Sequence, residues 1–165
     1  MSLIYKKMVN NLQPISKKDL KKLMKTQTSN TNLMIIYLNV DKLKINPNLI
    51  YKTTSIKPSY IEIKGESQIN KKGVRILNET NFWSFERKYK NIIYPEKKIL
   101  QFLINYLEPN STYFQKTFKN SEAKLEIVYY HYTSNNPGIF LSKKITNLIG
   151  KYSLSLEFDI YCLYE

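Results

Sequence analysis

The hydrophobic pattern is cleanest at the C-terminal end. Between Ser153 and Leu163, Leu154, Leu156, Phe158, Ile160 and Cys162 alternate with Ser155, Glu157, Asp159 and Tyr161. Period-two alternation predicts a strand with one buried face. A slip of one residue would bury two carboxylates, so the register is firmly set. Upstream, Ile145, Leu148 and Ile149 recur at helical spacing over Ser142–Ile149. Ser142 suits the N-cap, and Gly150 suits a left-handed stop. Asn135-Asn136-Pro137-Gly138 reads as a turn after a tyrosine-rich strand, Leu125–Thr133.

The remaining pattern yields an earlier unit of the same kind. Asn32–Val40 is apolar on both faces, as a central strand requires. Asn46-Pro47 opens a short helix to Ser55, with Leu49, Ile50 and Thr53 turned inward, and Pro58 forbids its continuation. Tyr60–Lys64 is a short strand, followed by a polar loop. Asn81–Arg87 is a strand with Trp83 and Phe85 on one face and Glu86 on the other, and Lys88–Asn91 breaks the pattern. Pro95 and Glu96 start the longest helix, where Ile99, Leu100, Phe102, Leu103, Tyr106 and Leu107 form a broad apolar face. Pro109-Asn110-Ser111 ends it and caps a further helical segment with Tyr113, Phe114 and Phe118 inward.

Each half therefore reads strand, short helix, strand, with the long helix as a bridge. The predicted fold is α+β: a ferredoxin-like arrangement of duplicated β-α-β units around a mostly antiparallel sheet. Residues 1–30 read as an N-terminal extension carrying a basic amphipathic helix, with Leu20, Leu23 and Met24 among lysines. Residues 31–165 read as a single domain.

Composition narrows the function. The chain has 165 residues and a formal charge of +13. Only Arg75 and Arg87 are arginine, so the planar fork used to read bases and phosphates is nearly missing. Abundant Lys, Asn, Ile and Tyr match the coding bias of an AT-rich genome. The charge reads as a solvated lysine surface with non-specific attraction for polyanions. A nucleic-acid-associated basic module, with tyrosine stacking on bases, is the alternative. There is no signal-peptide pattern and no bilayer-length apolar run, so a cytoplasmic location is the expectation.

Candidate chemistry is sparse. His131 is the sole histidine and sits among Tyr129, Tyr130 and Tyr132, as a structural side chain. Cys162, the sole cysteine, is expected as a buried core thiol. Neither makes a partnered nucleophile, a zinc set or a disulfide framework. Four scattered glycines form no phosphate cradle. No catalytic, cofactor-binding or metal-ligating residue is assigned. Glu157 and Asp159 share a strand face about 7 Å apart and leave a carboxylate-pair enzyme as a second alternative. The richer signal is aromatic. Trp83, Phe85, Tyr130, Tyr132, Glu157, Asp159 and Tyr161 are the candidate partner-binding residues, because tyrosine and tryptophan bury much area at low entropic cost. Filling a small second core is the competing use of the same aromatics.

Four segments resemble the bacterial family called domain of unknown function 4279. They are Asn46-Pro47 with its short helix to Ile56-Lys57-Pro58, then Lys64-Gly65-Glu66, then Asn81-Phe82-Trp83-Ser84-Phe85, and last Leu156-Glu157-Phe158-Asp159-Ile160-Tyr161. The loop Ser67–Asn78 departs from the family pattern. The resemblance implies no established activity and no catalytic residues. It implies a non-enzymatic protein-binding domain, with a toxin-neutralising immunity protein as the role and a co-encoded toxin as partner. Oligomeric state stays open.

Overall fold

A central strand flanked on both sides organises the molecule. In a computed structural model that describes residues 31–69, 73–132 and 137–163, β1 (Leu33–Asp41) pairs antiparallel with β5 (Phe82–Lys90) and with β6 (Glu122–His131). β2 (Tyr60–Glu62) borders β5, and β7 (Ser155–Cys162) lies parallel to β6, giving the order β2-β5-β1-β6-β7. The α+β class and the mainly antiparallel sheet agree with the sequence reading. The basic N-terminal helix and the Asn135-Asn136 turn lie outside the described residues.

Alternation along β1 assigns its two faces. Met34, Ile36, Leu38 and Val40 are fully buried and point at the helical layer. α1 (Asn48–Thr54) contributes Ile50 to that layer, and α2 (Pro95–Phe102) contributes Ile99 and Phe102. α2 runs on through a π-helical turn, Leu103–Leu107, and a 3₁₀ turn, Glu108–Asn110, into α3 (Ser111–Phe118). This change of pitch keeps Leu103, Leu107, Phe114 and Phe118 on the core side. α4 (Lys143–Lys151) adds Ile145, and Tyr152 and Leu154 close the core beyond it.

Several local expectations are corrected. Leu49 and Thr53 are exposed, and Thr54 is the buried member of α1, its hydroxyl donating to the Ile50 carbonyl at 2.7 Å. Strand β5 continues through the lysine-rich stretch to Lys90, because β1 pairs with it as far as Leu33↔Lys90. Asn110 makes no side-chain cap, whereas Ser142 accepts from the Ile145 amide. α4 runs past Gly150, and the left-handed residue is Ser153, at φ 53. The stretch read as a polar loop holds a hairpin, β3 (Ser67–Ile69) with β4 (Arg75–Leu77). Gln68 Nε2 ties it to β2 by donating to Glu62 Oε1 at 2.9 Å and to Asn78 Oδ1 at 3.1 Å.

Both halves keep the order strand, helix, strand, but their pairing differs. β5 lies between β1 and β2, whereas β6 and β7 are direct neighbours. A matching order of elements therefore coexists with unequal strand placement.

Candidate functional site: the polar face of the sheet

The face of the sheet away from the described helices carries a continuous polar ladder. Register puts Asn39 of β1 beside Ser84 of β5 and Lys124 of β6, and puts Glu126 of β6 beside Glu157 of β7. Ser84 Oγ donates to Asn39 Oδ1 at 2.7 Å, and Asn39 Nδ2 donates to Glu126 Oε2 at 2.9 Å. Lys124 Nζ reaches Glu157 Oε2 at 2.5 Å and Glu126 Oε2 at 3.6 Å. The chain of contacts crosses four strands.

Electrostatics follow from burial. Glu126 is only 7% exposed. Burial pushes its carboxyl above the usual carboxylate range, with Lys124 pulling the other way and Glu157 and Asp159 adding to the rise. Burial pulls the Lys124 ammonium down, but its contacts with Glu157 and Glu126 outweigh that and hold it above the usual lysine value. Both partners thus shift upward: the lysine gains from two carboxylates, whereas Glu126 has one cation and two like-charged neighbours. Tyr37, between Glu86 and Glu126 in register, is pushed to about 12 by burial and by both carboxylates.

One end of the ladder is aromatic. Tyr130 and Tyr161 are opposite each other in the β6–β7 register, and their rings stack at 5.2 Å and 15°. Burial raises both phenols, with Tyr161 acting on Tyr130 and Asp159 acting on each. Glu157, Asp159, Tyr130 and Tyr161 are therefore brought together on one partly accessible surface. Tyr132 follows β6, half-buried, its amide donating to Asn32 Oδ1 at 2.9 Å.

Trp83 and Phe85 leave this surface. Both point into the helical layer, at 0% and 1% exposure, where Phe85 packs on Phe102 and Tyr106. They belong to the main core, since register places Trp83 beside Val40 and Phe85 beside Leu38. The Trp83 Nε1 donor is buried without a hydrogen-bond partner. Cys162 is also corrected: it is exposed, at the end of the outer strand β7. Tyr129 takes the core position beside His131.

Sequence reasoning missed Asn39, Ser84, Lys124 and Glu126. A signal exists: Lys124 and Glu126 alternate with Leu125 and Ile127, but the predicted strand Leu125–Thr133 begins after Lys124, whereas β6 begins at Glu122.

The model of the domain of unknown function DUF4279 matches residues 31–163. The chain belongs to the DUF4279 family. No curated protein and no solved structure matches it. The matched span takes in every strand of the DUF4279 domain described above, including the whole ladder. No helix among the described residues is long and apolar enough to cross a membrane.

Proposed function

We propose that this DUF4279 domain is a non-enzymatic protein-binding module that docks its partner on the acidic and aromatic end of the polar face. The observation that carries the reading is the stacked Tyr130–Tyr161 pair next to Glu157 and Asp159. Aromatic anchors beside fixed charges are what protein interfaces use. Toxin neutralisation is the biological setting that the family resemblance implied, with the toxin co-encoded. Glu157, one half of the alternative carboxylate pair, is engaged by Lys124, which favours a structural charge over a proton-transfer role. The nucleic-acid alternative is weakened at Arg87: its guanidinium lies 4.6 Å from the Phe85 ring centroid, and its Nε donates to the Tyr106 hydroxyl at 2.8 Å.

The test is co-purification of the full chain with the product of the adjacent gene, followed by a growth-protection assay against that product. Retention by the wild type and loss in a Tyr130→Ala, Tyr161→Ala double variant that still folds is the expected result. Retention unaffected by the double variant, or no protein retained and no protection, removes the proposal.

A further inference from the structure

The sheet ends on β7, and no strand pairs with its outer side among the described residues. The direction of its backbone groups can be read from one bond. The Leu163 amide donates to the His131 carbonyl at 2.8 Å, on the β6 side. Along a strand, successive residues turn their N–H and C=O groups to opposite sides. The odd-numbered residues of β7 therefore bond inward, and Leu156, Phe158, Ile160 and Cys162 turn theirs outward. Edge strands are ordinarily blunted by charged side chains, lysine above all, by proline or by a bulge, and the charges of β7 are the two acids Glu157 and Asp159. Ser155–Cys162 has neither lysine nor proline, and its register with β6 runs unbroken from Lys124↔Ser155 to His131↔Cys162.

Side chains on this edge define what fits beside it. Glu157 and Asp159 lie on the polar face; Phe158 is half-buried and Ile160 is 42% exposed on the other. Lys124 neutralises Glu157, but no lysine or arginine pairs with Asp159 among the described residues. A second copy is a poor occupant in the registers that overlap most of the strand. Antiparallel self-pairing centred on Phe158 sets Glu157 opposite Asp159 twice, and centring on either acid sets that acid against itself. Like charges directly opposed destabilise a strand pair. A strand with cations on one face and apolar side chains on the other meets both sets with matching chemistry.

We propose that β7 accepts an extended segment of a partner protein as a sixth strand, and that this segment alternates basic with apolar residues. The proposal rests on the protein-binding reading and adds to it the edge and the chemistry of recognition.

The test titrates the full chain with a short alternating lysine–valine peptide and, separately, with its glutamate–valine counterpart, following backbone amides by NMR. The lysine–valine peptide is expected to slow solvent exchange at the Phe158 and Ile160 amides, while Glu157 and Asp159, already bonded to β6, change little. Asp159→Lys should weaken binding about tenfold. Ile160→Pro removes one outward N–H from an edge strand, a place that tolerates proline, and should abolish the protection. Should that variant unfold, Asp159→Lys carries the test alone. Equal binding of both peptides, unchanged affinity in Asp159→Lys, or protection elsewhere overturns the proposal. So does self-association that protects the same amides without peptide. A neighbouring-gene product lost in the Tyr130→Ala, Tyr161→Ala variant but retained by Asp159→Lys and Ile160→Pro would overturn the edge while leaving the protein-binding reading in place.

Discussion

Strand β1 has two faces built on opposite rules. Toward the helices it offers Met34, Ile36, Leu38 and Val40, none of them accessible. Away from them Asn39 sits in a ladder that exchanges hydrogen bonds and ion pairs with β5, β6 and β7. The first face is held by area removed from water, which needs no particular partner geometry. The second is held by matched donors, acceptors and charges, each of which costs free energy when its partner is removed. If the proposed docking surface is right, recognition lies at the accessible end of the polar side, while the helix side serves folding alone. A substitution on the helix side should act on folding, and one at the accessible end of the polar side should act on binding.

The largest effect is expected at Trp83. Trp83→Ala empties a site with 0% exposure and should cost about 3–5 kcal/mol in chemical denaturation. Trp83→Phe should cost less, because its ring leaves a smaller cavity, while both variants remove the indole N–H that is buried without a partner. Equal losses for the two variants would mean that the phenylalanine ring does not fill the site the indole leaves.

Next comes the ladder. Lys124→Met leaves Glu126 facing Glu157 and Asp159 without its cation, and should cost about 1–3 kcal/mol at neutral pH. The sign with pH follows from the direction at Glu126. Its folded carboxyl is raised, so the neutral acid is the form that folding favours. That favour is complete below the ordinary carboxylate value and is lost as pH rises through the raised one. The penalty of Lys124→Met should accordingly shrink on acidification. Adding Glu126→Gln, which keeps an acceptor for Asn39 and removes the charge, should recover most of the loss at neutral pH. A penalty constant with pH would place the loss in the lysine's packing.

A third comparison sets Tyr37 on the polar face against Tyr89 on the helix-covered face. Both phenols are pushed to about 12, chiefly by burial, but Glu86 and Glu126 contribute only at Tyr37. A raised tyrosine favours the folded state below its ordinary value of 10.0 and loses that contribution as pH climbs through the raised one. An alkaline spectrophotometric titration should show a late-ionising class, with unfolding over the same interval. Glu126→Gln should bring Tyr37 down and leave Tyr89 where it is.

The sequence made the regular parts of this fold readable and concealed the joins. β7 was legible because one face is apolar and the other charged, and the core side of β5 was legible in Trp83 and Phe85. The β1 polar face was hidden because Ile35 makes that face as apolar as its opposite over most of its length. Its single informative residue, Asn39, finds its partners 45 and 87 positions away, a separation no local pattern reports. The exposure of Cys162 was concealed for a related reason. Alternation assigns a side chain to a face but does not tell that the strand lies at the edge of the sheet. The same limit explains why Trp83 and Phe85 entered the candidate surface: aromatic content was visible, and the side of the sheet was not. Four of the candidate residues, Tyr130, Glu157, Asp159 and Tyr161, do meet at one end of the sheet.

The smallest stability effect is expected at that end. Tyr130 and Tyr161 are half-buried and stack on each other, with no helix over them among the described residues. A cross-strand aromatic pair contributes roughly 0.2–1 kcal/mol. Tyr130→Ala should therefore lower stability by less than about 1 kcal/mol, and Tyr161→Ala by a similar amount, with the double variant falling short of their sum because the two lose one shared contact. Partner affinity should behave in the opposite way. An interface anchor typically accounts for about 2 kcal/mol or more, so either single variant should weaken capture of the neighbouring gene product by more than about tenfold. Paired measurements of denaturation and capture on the same variants would break the division of labour between the faces if Tyr130→Ala destabilised the fold as much as Trp83→Ala. They would sharpen it if Trp83→Phe, still folded, bound the partner as tightly as the wild type.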